Sequence, residues 1–147
     1  ALNAHRRVVS VRVFVEGASI NPEELRGMVS KDGCGSIVSF VGITRGKEGR
    51  HDVYSLEFDA WGEKLPSVLE SIAERAISDF GVSSVVIAHR TGTVLPGEAI
   101  VCIHVGSEHR REGFQACSWL IDELKGQAPL WKKETRSDGV EWKGGMG

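Results

Sequence analysis

Cysteine is scarce in this chain: Cys34, Cys102 and Cys117 are the only three in 147 residues. An odd number at wide spacing builds neither a disulfide framework nor a zinc site. Long apolar runs are missing too, so nothing is predicted to span a bilayer. The opening ALNAHRRVVSVRVFVEG is basic but lacks an apolar stretch followed by a cleavage site, so no secretory signal is read there. A surplus of positive charge is also absent. Eighteen Lys and Arg stand against 20 Asp and Glu, for a net charge of -2, which excludes a general nucleic-acid coat. Any basic site must therefore be local. No His, Asp and Glu set has metal-ligand spacing, no Walker-type glycine loop is present, and no Ser-His-Asp arrangement is legible. Neither a metal nor a cofactor is expected.

What remains is an ordinary globular composition, 41% hydrophobic and 26% charged, long enough for one domain over residues 1–147 with a real core. Cys102 falls in an apolar strand run and Cys117 on the apolar face of a helix. Both read as inert buried thiols, which implies a reducing cytoplasm. Nothing near Cys34, in Gly33-Cys34-Gly35, marks a base that would make it a nucleophile.

Val8 to Val15 alternates and is β-branched, so it predicts a strand. Asn21-Pro22-Glu23-Glu24 predicts a short helix, with a cap, a proline in the first turn and acids at the positive dipole end. Gly35 to Val41 predicts a second strand, Gly42 to Asp52 a mobile polar loop, and Val53 to Phe58 a third strand. From Leu65 to Phe80 apolar residues recur at three-four spacing, which predicts the clearest helix of the chain, stopped by Gly81. Strands over Ser84 to His89 and Ala99 to Val105 follow, joined by a turn-rich connection. Next comes a helix capped by Ser107 whose apolar face is Phe114, Cys117, Ile121 and Leu124. Two short strands, near Trp131 to Thr135 and Val140 to Trp142, close the chain. The mixed order without strict βα alternation favours an α+β fold with a largely antiparallel sheet.

The chemistry-bearing residues cluster late. Ser107-Glu108-His109-Arg110-Arg111 opens the last helix, where backbone N–H groups and the dipole attract anions and a guanidinium grips phosphate through paired hydrogen bonds. Taken alone, the segment slightly favours the plainer reading, in which Arg110 and Arg111 are solvated surface and His109 caps its own helix, because arginine is unfavourable at a positive helix end unless an anion is near. Lys125 closes that helix, where a cation also suits the dipole alone. Lys132 and Lys133 follow Pro129-Leu130-Trp131, and a lysine against an apolar wall can have its pKa lowered into the range of a usable acid or base. Glu134 can orient a lysine. Arg45 leaves a strand for a glycine-bearing loop. His89-Arg90 reads as a structural hydrogen bond to the following turn, and His104 as a satisfied strand histidine. Arg110 and Lys125 stand at opposite ends of one helix, roughly 22 Å apart at about 1.5 Å per residue. One small ligand cannot touch both in a single copy. Either they serve different sites, or a symmetric dimer sets His109 and Arg110 of one copy against Lys125 and Lys132 of the other.

Phe40-Val41-Gly42 with Arg45, His89-Arg90-Thr91-Gly92, Pro96-Gly97-Glu98, Ser107-Glu108-His109-Arg110, Lys125 and Ala128-Pro129-Leu130-Trp131-Lys132-Lys133-Glu134 together resemble, in order and spacing, the catalytic (large) subunit family of molybdopterin synthase. The resemblance implies an α/β-hammerhead fold with an added antiparallel sheet. It implies a homodimer at the centre of a heterotetramer, with a small ubiquitin-like sulfur-carrier subunit at each end inserting a C-terminal Gly-Gly thiocarboxylate. The implied substrate is cyclic pyranopterin monophosphate, converted to molybdopterin by two sulfur transfers, with no nucleic acid or membrane involved. Arg45, His109 and Arg110, with Ile43 and Thr44, would hold phosphate and pterin. Lys125 and Lys132 would be the acid and base, and Lys133 and Glu134 would complete the pocket. Gly113 departs from the alanine the family usually has, at a helix-propensity cost of about 1 kcal/mol. A competing reading is a non-catalytic binding module for a nucleotide or phosphate ligand, which uses the Arg and His residues but needs no special lysines. A third is a structural protein that only docks a small β-grasp partner.

Overall fold

The computed structural model describes residues 9–60, 64–127 and 130–144. The expected strand start at Val8, the Ala128-Pro129 turn, the Trp131 side chain and the Gly145 to Gly147 tail lie outside what is described. Twelve elements follow in the order β1 (Ser10–Glu16), α1 (Pro22–Arg26), β2 (Ser36–Ile43), β3 (Lys47–Glu48), β4 (His51–Ala60), α2 (Lys64–Phe80), β5 (Ser84–Arg90), β6 (Gly92–Val94), β7 (Ala99–Ser107), α3 (Arg110–Gln127), β8 (Leu130–Arg136) and β9 (Gly139–Gly144).

Four strands form one sheet in the order β1-β5-β7-β2. β1 runs parallel to β5, and the other pairs are antiparallel. Strand periodicity explains why β5 and β7 read as unbroken apolar runs: both faces are covered. Val85, Ile87, Val101, Ile103 and Val105 share a core with Leu65, Leu69, Ile72, Ala73 and Ala76 of α2 and with Ala116, Cys117, Leu120 and Leu124 of α3. The alternate residues Val86, Ala88 and Cys102 pack instead with Leu25 of α1 and with Val29. Each fully buried large aliphatic contributes about 1.5–3 kcal/mol, and Leu65, Leu69, Ile72, Leu120 and Leu124 have no exposure at all. A second, antiparallel sheet runs β3-β4-β8-β9, with β6 pairing to β4. Its Val53, Leu56 and Phe58 join the main core. This is the α+β arrangement expected, a helix-covered mixed sheet with an added antiparallel one.

Several local expectations need correction. Gly42 to Asp52 is not simply a loop: β2 runs on to Ile43, and β3 and the start of β4 pair Lys47 with Asp52 and Glu48 with His51, around Gly49 at φ 61°. Likewise, the connection from β5 to β7 holds the short strand β6. Ser107 does not cap α3 by accepting a hydrogen bond. Its hydroxyl donates to the His109 carbonyl at 2.6 Å, and the His109 amide is taken by the Glu112 carboxylate at 2.5 Å. Phe114 is 62% exposed; the face turned inward is Gly113, Ala116, Cys117, Leu120 and Leu124. Gly113 sits in a tight space, where a side chain would force its neighbours to shift. A Cβ at that position would stand 2.8 Å from Ser107 Oγ and 3.1 Å from Val38 Cγ2.

Both thiols expected to be inert are buried, and burial pushes Cys102 and Cys117 each up to about 11. Cys34 Sγ donates to the Ser30 carbonyl at 3.1 Å and lies 3.3 Å from Ser83 Oγ. Among the described residues, no helix is long and apolar enough to cross a membrane.

Candidate functional site

The end of β2 shapes the site. The β2–β7 register shifts between Gly42 and Ile43, and such a bulge redirects the strand. Gly42 can sit there because it has no side chain: an added Cβ would meet Val101 Cγ1 at 2.8 Å. Beyond the bulge, Thr44 is gripped through both backbone groups. Its amide donates to the Glu98 carbonyl at 3.0 Å, and its carbonyl accepts from the Gly97 amide at 2.9 Å. Thr44 is 2% exposed and its hydroxyl has no hydrogen-bond partner. Arg45 next to it is largely exposed and pairs with Glu48 at 3.1 Å.

A cleft of about 390 Å³ opens beside this corner, lined by residues of β2, β4, β7, β8 and the end of α3. Ile43, Thr44, Arg45, Lys125, Lys132 and Glu134 all line it. Lys125 arrives from the last turn of α3. Lys132 and Glu134 arrive from β8, two residues apart and so on one face of the strand. Three cations, Arg45, Lys125 and Lys132, stand against the two carboxylates Glu48 and Glu134, which suits an anionic ligand. Burial holds the Lys132 ammonium below the ordinary lysine range. Glu134 and Glu48 oppose that shift, while Lys143 and Arg45 add to it. Glu134 is 2% exposed, and its carboxylate pairs with Lys143 of β9 at 3.5 Å.

Three expected site residues are not in the cleft. Lys133 occupies the opposite face of β8, 4.0 Å from Glu57 and with its ammonium 5.6 Å from the Trp142 ring centre. His109 and Arg110 stand at the start of α3, the far end from Lys125. His109 is exposed there and lies 3.6 Å from Glu108. The structure thus gathers Ile43, Thr44, Arg45, Lys125, Lys132 and Glu134 and leaves a separate basic group at the other end of the helix.

Arg90, expected to make a structural hydrogen bond to the following turn, does so and, with Glu98, which had no expected role beyond its motif, holds the corner in place. Arg90 is buried, donates to the Thr93 carbonyl at 2.8 Å and stands 3.5 Å from Glu98. Glu98 accepts from the Leu95 amide at 2.8 Å and from the Ser19 hydroxyl at 3.1 Å. Those bonds, the Leu95 amide first, hold its carboxyl below the usual range. This closes the turn that grips Thr44. The one available signal was that Arg90 and Glu98 sit in the HRTG and PGE motifs. His89 is structural, as expected. Its Nδ1 lies 2.6 Å from the Arg90 carbonyl, which can only accept, so Nδ1 carries the hydrogen. Burial pushes the ring down to about 4, and its edge packs on Phe58 at 5.4 Å between ring centres. His104 meets Ser39 Oγ at 2.7 Å.

A family model described as MoaE protein matches residues 15–127. The chain belongs to the MoaE protein family. The family's activity is that of the molybdopterin synthase catalytic subunit, an enzyme of molybdenum cofactor biosynthesis, and it is the activity of this chain. A molybdopterin synthase catalytic subunit of Caulobacter vibrioides is 38% identical over 112 residues, covering 76% of this chain and 73% of the relative. Among solved structures, molybdopterin synthase from Staphylococcus aureus superposes with a TM-score of 0.81 at 28% identity, covering 90% of this chain and 96% of that one. A chain from a complex of subunits 1 and 2 of molybdopterin-converting factor, from Helicobacter pylori, shares the MoaE fold with a TM-score of 0.73 at 24% identity over 88% of each chain.

Proposed function

We propose that the cleft is the sulfur-transfer site, and that it works on cyclic pyranopterin monophosphate with a thiocarboxylated small ubiquitin-like subunit as sulfur donor. The observation that carries this reading is the convergence of Arg45, Lys125, Lys132 and Glu134, from three separated parts of the chain, on one cleft with surplus positive charge. Both ligands are anionic where they react, one a phosphate and the other a thiocarboxylate. Arg45 grips the phosphate, with Ile43 and the Thr44 hydroxyl beside the pterin. Lys125 and Lys132 serve as acid and base while sulfur adds and the cyclic phosphate opens. Lys132 suits a proton-transfer role because its burial already disfavours the charged form. Glu134 sets the charge around Lys132. Two thiocarboxylates and one water are consumed per dithiolene, and each carrier is left with a carboxylate.

His109 and Arg110 belong to the same reading through a second copy of the chain. They stand a helix length from Lys125, so they complete the cleft of a partner subunit in a homodimer, with one small subunit docked at each end.

The test is reconstitution. The chain is mixed with thiocarboxylated small subunit and cyclic pyranopterin monophosphate, and dithiolene product is measured. We expect product from the wild type and none from Lys125→Ala, with an unchanged circular dichroism spectrum. Turnover retained in Lys125→Ala would remove its catalytic role. A stable complex that yields no product would favour a docking or binding module.

A further inference from the structure

Lys143 lies outside the cleft lining, yet it is the register partner of Lys132 across β8 and β9. Directly opposed residues share a face of a sheet, so two ammonium groups stand on the same side as the Glu134 carboxylate between them. Glu134 is almost fully buried, and its Oε2 accepts no hydrogen bond. The ion pair recorded for it is the 3.5 Å contact with Lys143. A buried carboxylate needs a cation, and Lys132 is near enough to compete for that place.

We infer that Lys143 is a positioning residue for sulfur transfer: it holds the buried Glu134 carboxylate so that this charge does not settle on the Lys132 ammonium. The inference rests on Lys132 being a proton-transfer group of the site. Other charged groups facing Lys132 are Glu48 of β3 and Arg45 beyond β2, with Lys125 of α3 in the same cleft. Glu48 already answers Arg45 at 3.1 Å. Among the described residues, that leaves Glu134 as the carboxylate whose allegiance Lys143 decides. Removing Lys143 takes away a like charge and frees an opposite one. Both changes favour protonated Lys132, so its titration moves to higher pH.

Two readouts on the full chain test this. The first follows Lys132 by NMR after reductive ¹³C-methylation of the lysines, its resonance assigned by loss in Lys132→Arg. The second is the pH profile of single-turnover dithiolene formation with the thiocarboxylated small subunit. In Lys143→Met the Lys132 midpoint and the matching limb of the profile should rise by about one pH unit, whereas Lys143→Arg should keep both near wild type. The double variant Lys143→Met/Glu134→Gln contains no unpaired buried carboxylate, and its midpoint should fall below that of Lys143→Met. Unmoved midpoints in Lys143→Met, or equal midpoints in the single and double variants, overturn the inference in an active enzyme. A wild type that makes no dithiolene instead fails the functional reading itself, and the role in transfer with it.

Discussion

Gly113 shows why a single position must be judged in its surroundings. Helix propensity alone argues for alanine there, by about 1 kcal/mol. Packing argues the other way, because the new methyl would press on Ser107 Oγ at 2.8 Å and on Val38. Ser107 cannot swing aside without losing its bond to the His109 carbonyl. Overpacking typically costs about 1–3 kcal/mol, so it outweighs the propensity gain. We expect Gly113→Ala to lower the thermal midpoint by about 3 °C, and a midpoint that rises on melting would refute the packing account. Chemistry at this scale was partly legible beforehand. Arg45, Lys125, Lys132 and Glu134 were picked out by residue type and motif, and the cleft contains all four. No motif in the sequence singles out Lys143, because the role proposed for it comes from lying opposite Lys132 on the neighbouring strand, and register is not written in any local pattern.

Among the elements, the long ones were plain and the short ones were not. α2 carries more than four turns of apolar spacing, so its face was unambiguous, and β5 and β7 were marked by their apolar runs Val85 to Ala88 and Ala99 to Ile103. β3 and β6 have two and three residues, too few for any periodicity to register, and they exist because β4 offers them a pairing edge. The connection holding Leu95 to Glu98 was legible as turn-rich, but its work was not, because that work is tertiary. Through Gly97 and Glu98 it grips both backbone groups of Thr44 and thereby aims Arg45. Glu98→Ala is therefore expected to raise KM for the pterin substrate several-fold while leaving kcat nearly unchanged, and to add nothing when Arg45 is already alanine. An effect of equal size in the Arg45→Ala background would show that the turn acts by another route.

For the whole molecule, the question is where the second basic group works. His109 and Arg110 lie at the end of α3 away from the cleft, which is why we place them in a partner's site. Mixed dimers test this. Lys125→Ala and Arg110→Ala chains are each impaired alone, but a dimer holding one of each has one site with both residues intact. Random mixing puts half the dimers in that state with half their sites intact, so activity should return to about a quarter of wild type. No recovery on mixing, with subunit exchange demonstrated, would place both residues in the same copy's site or in none. No reading of the sequence alone could choose between those arrangements, because helix geometry says how far apart two residues are and nothing about which neighbour meets them.

In the proposed dimer α3 acts as a ruler. Its 18 residues make a rod about 27 Å long, with one end serving the copy's own cleft and the other reaching into the neighbour's. The spacing between the two reaction centres is thus set by the number of turns in one helix. Lengthening or shortening it by a turn would put both centres out of register together, even if every reacting side chain were kept.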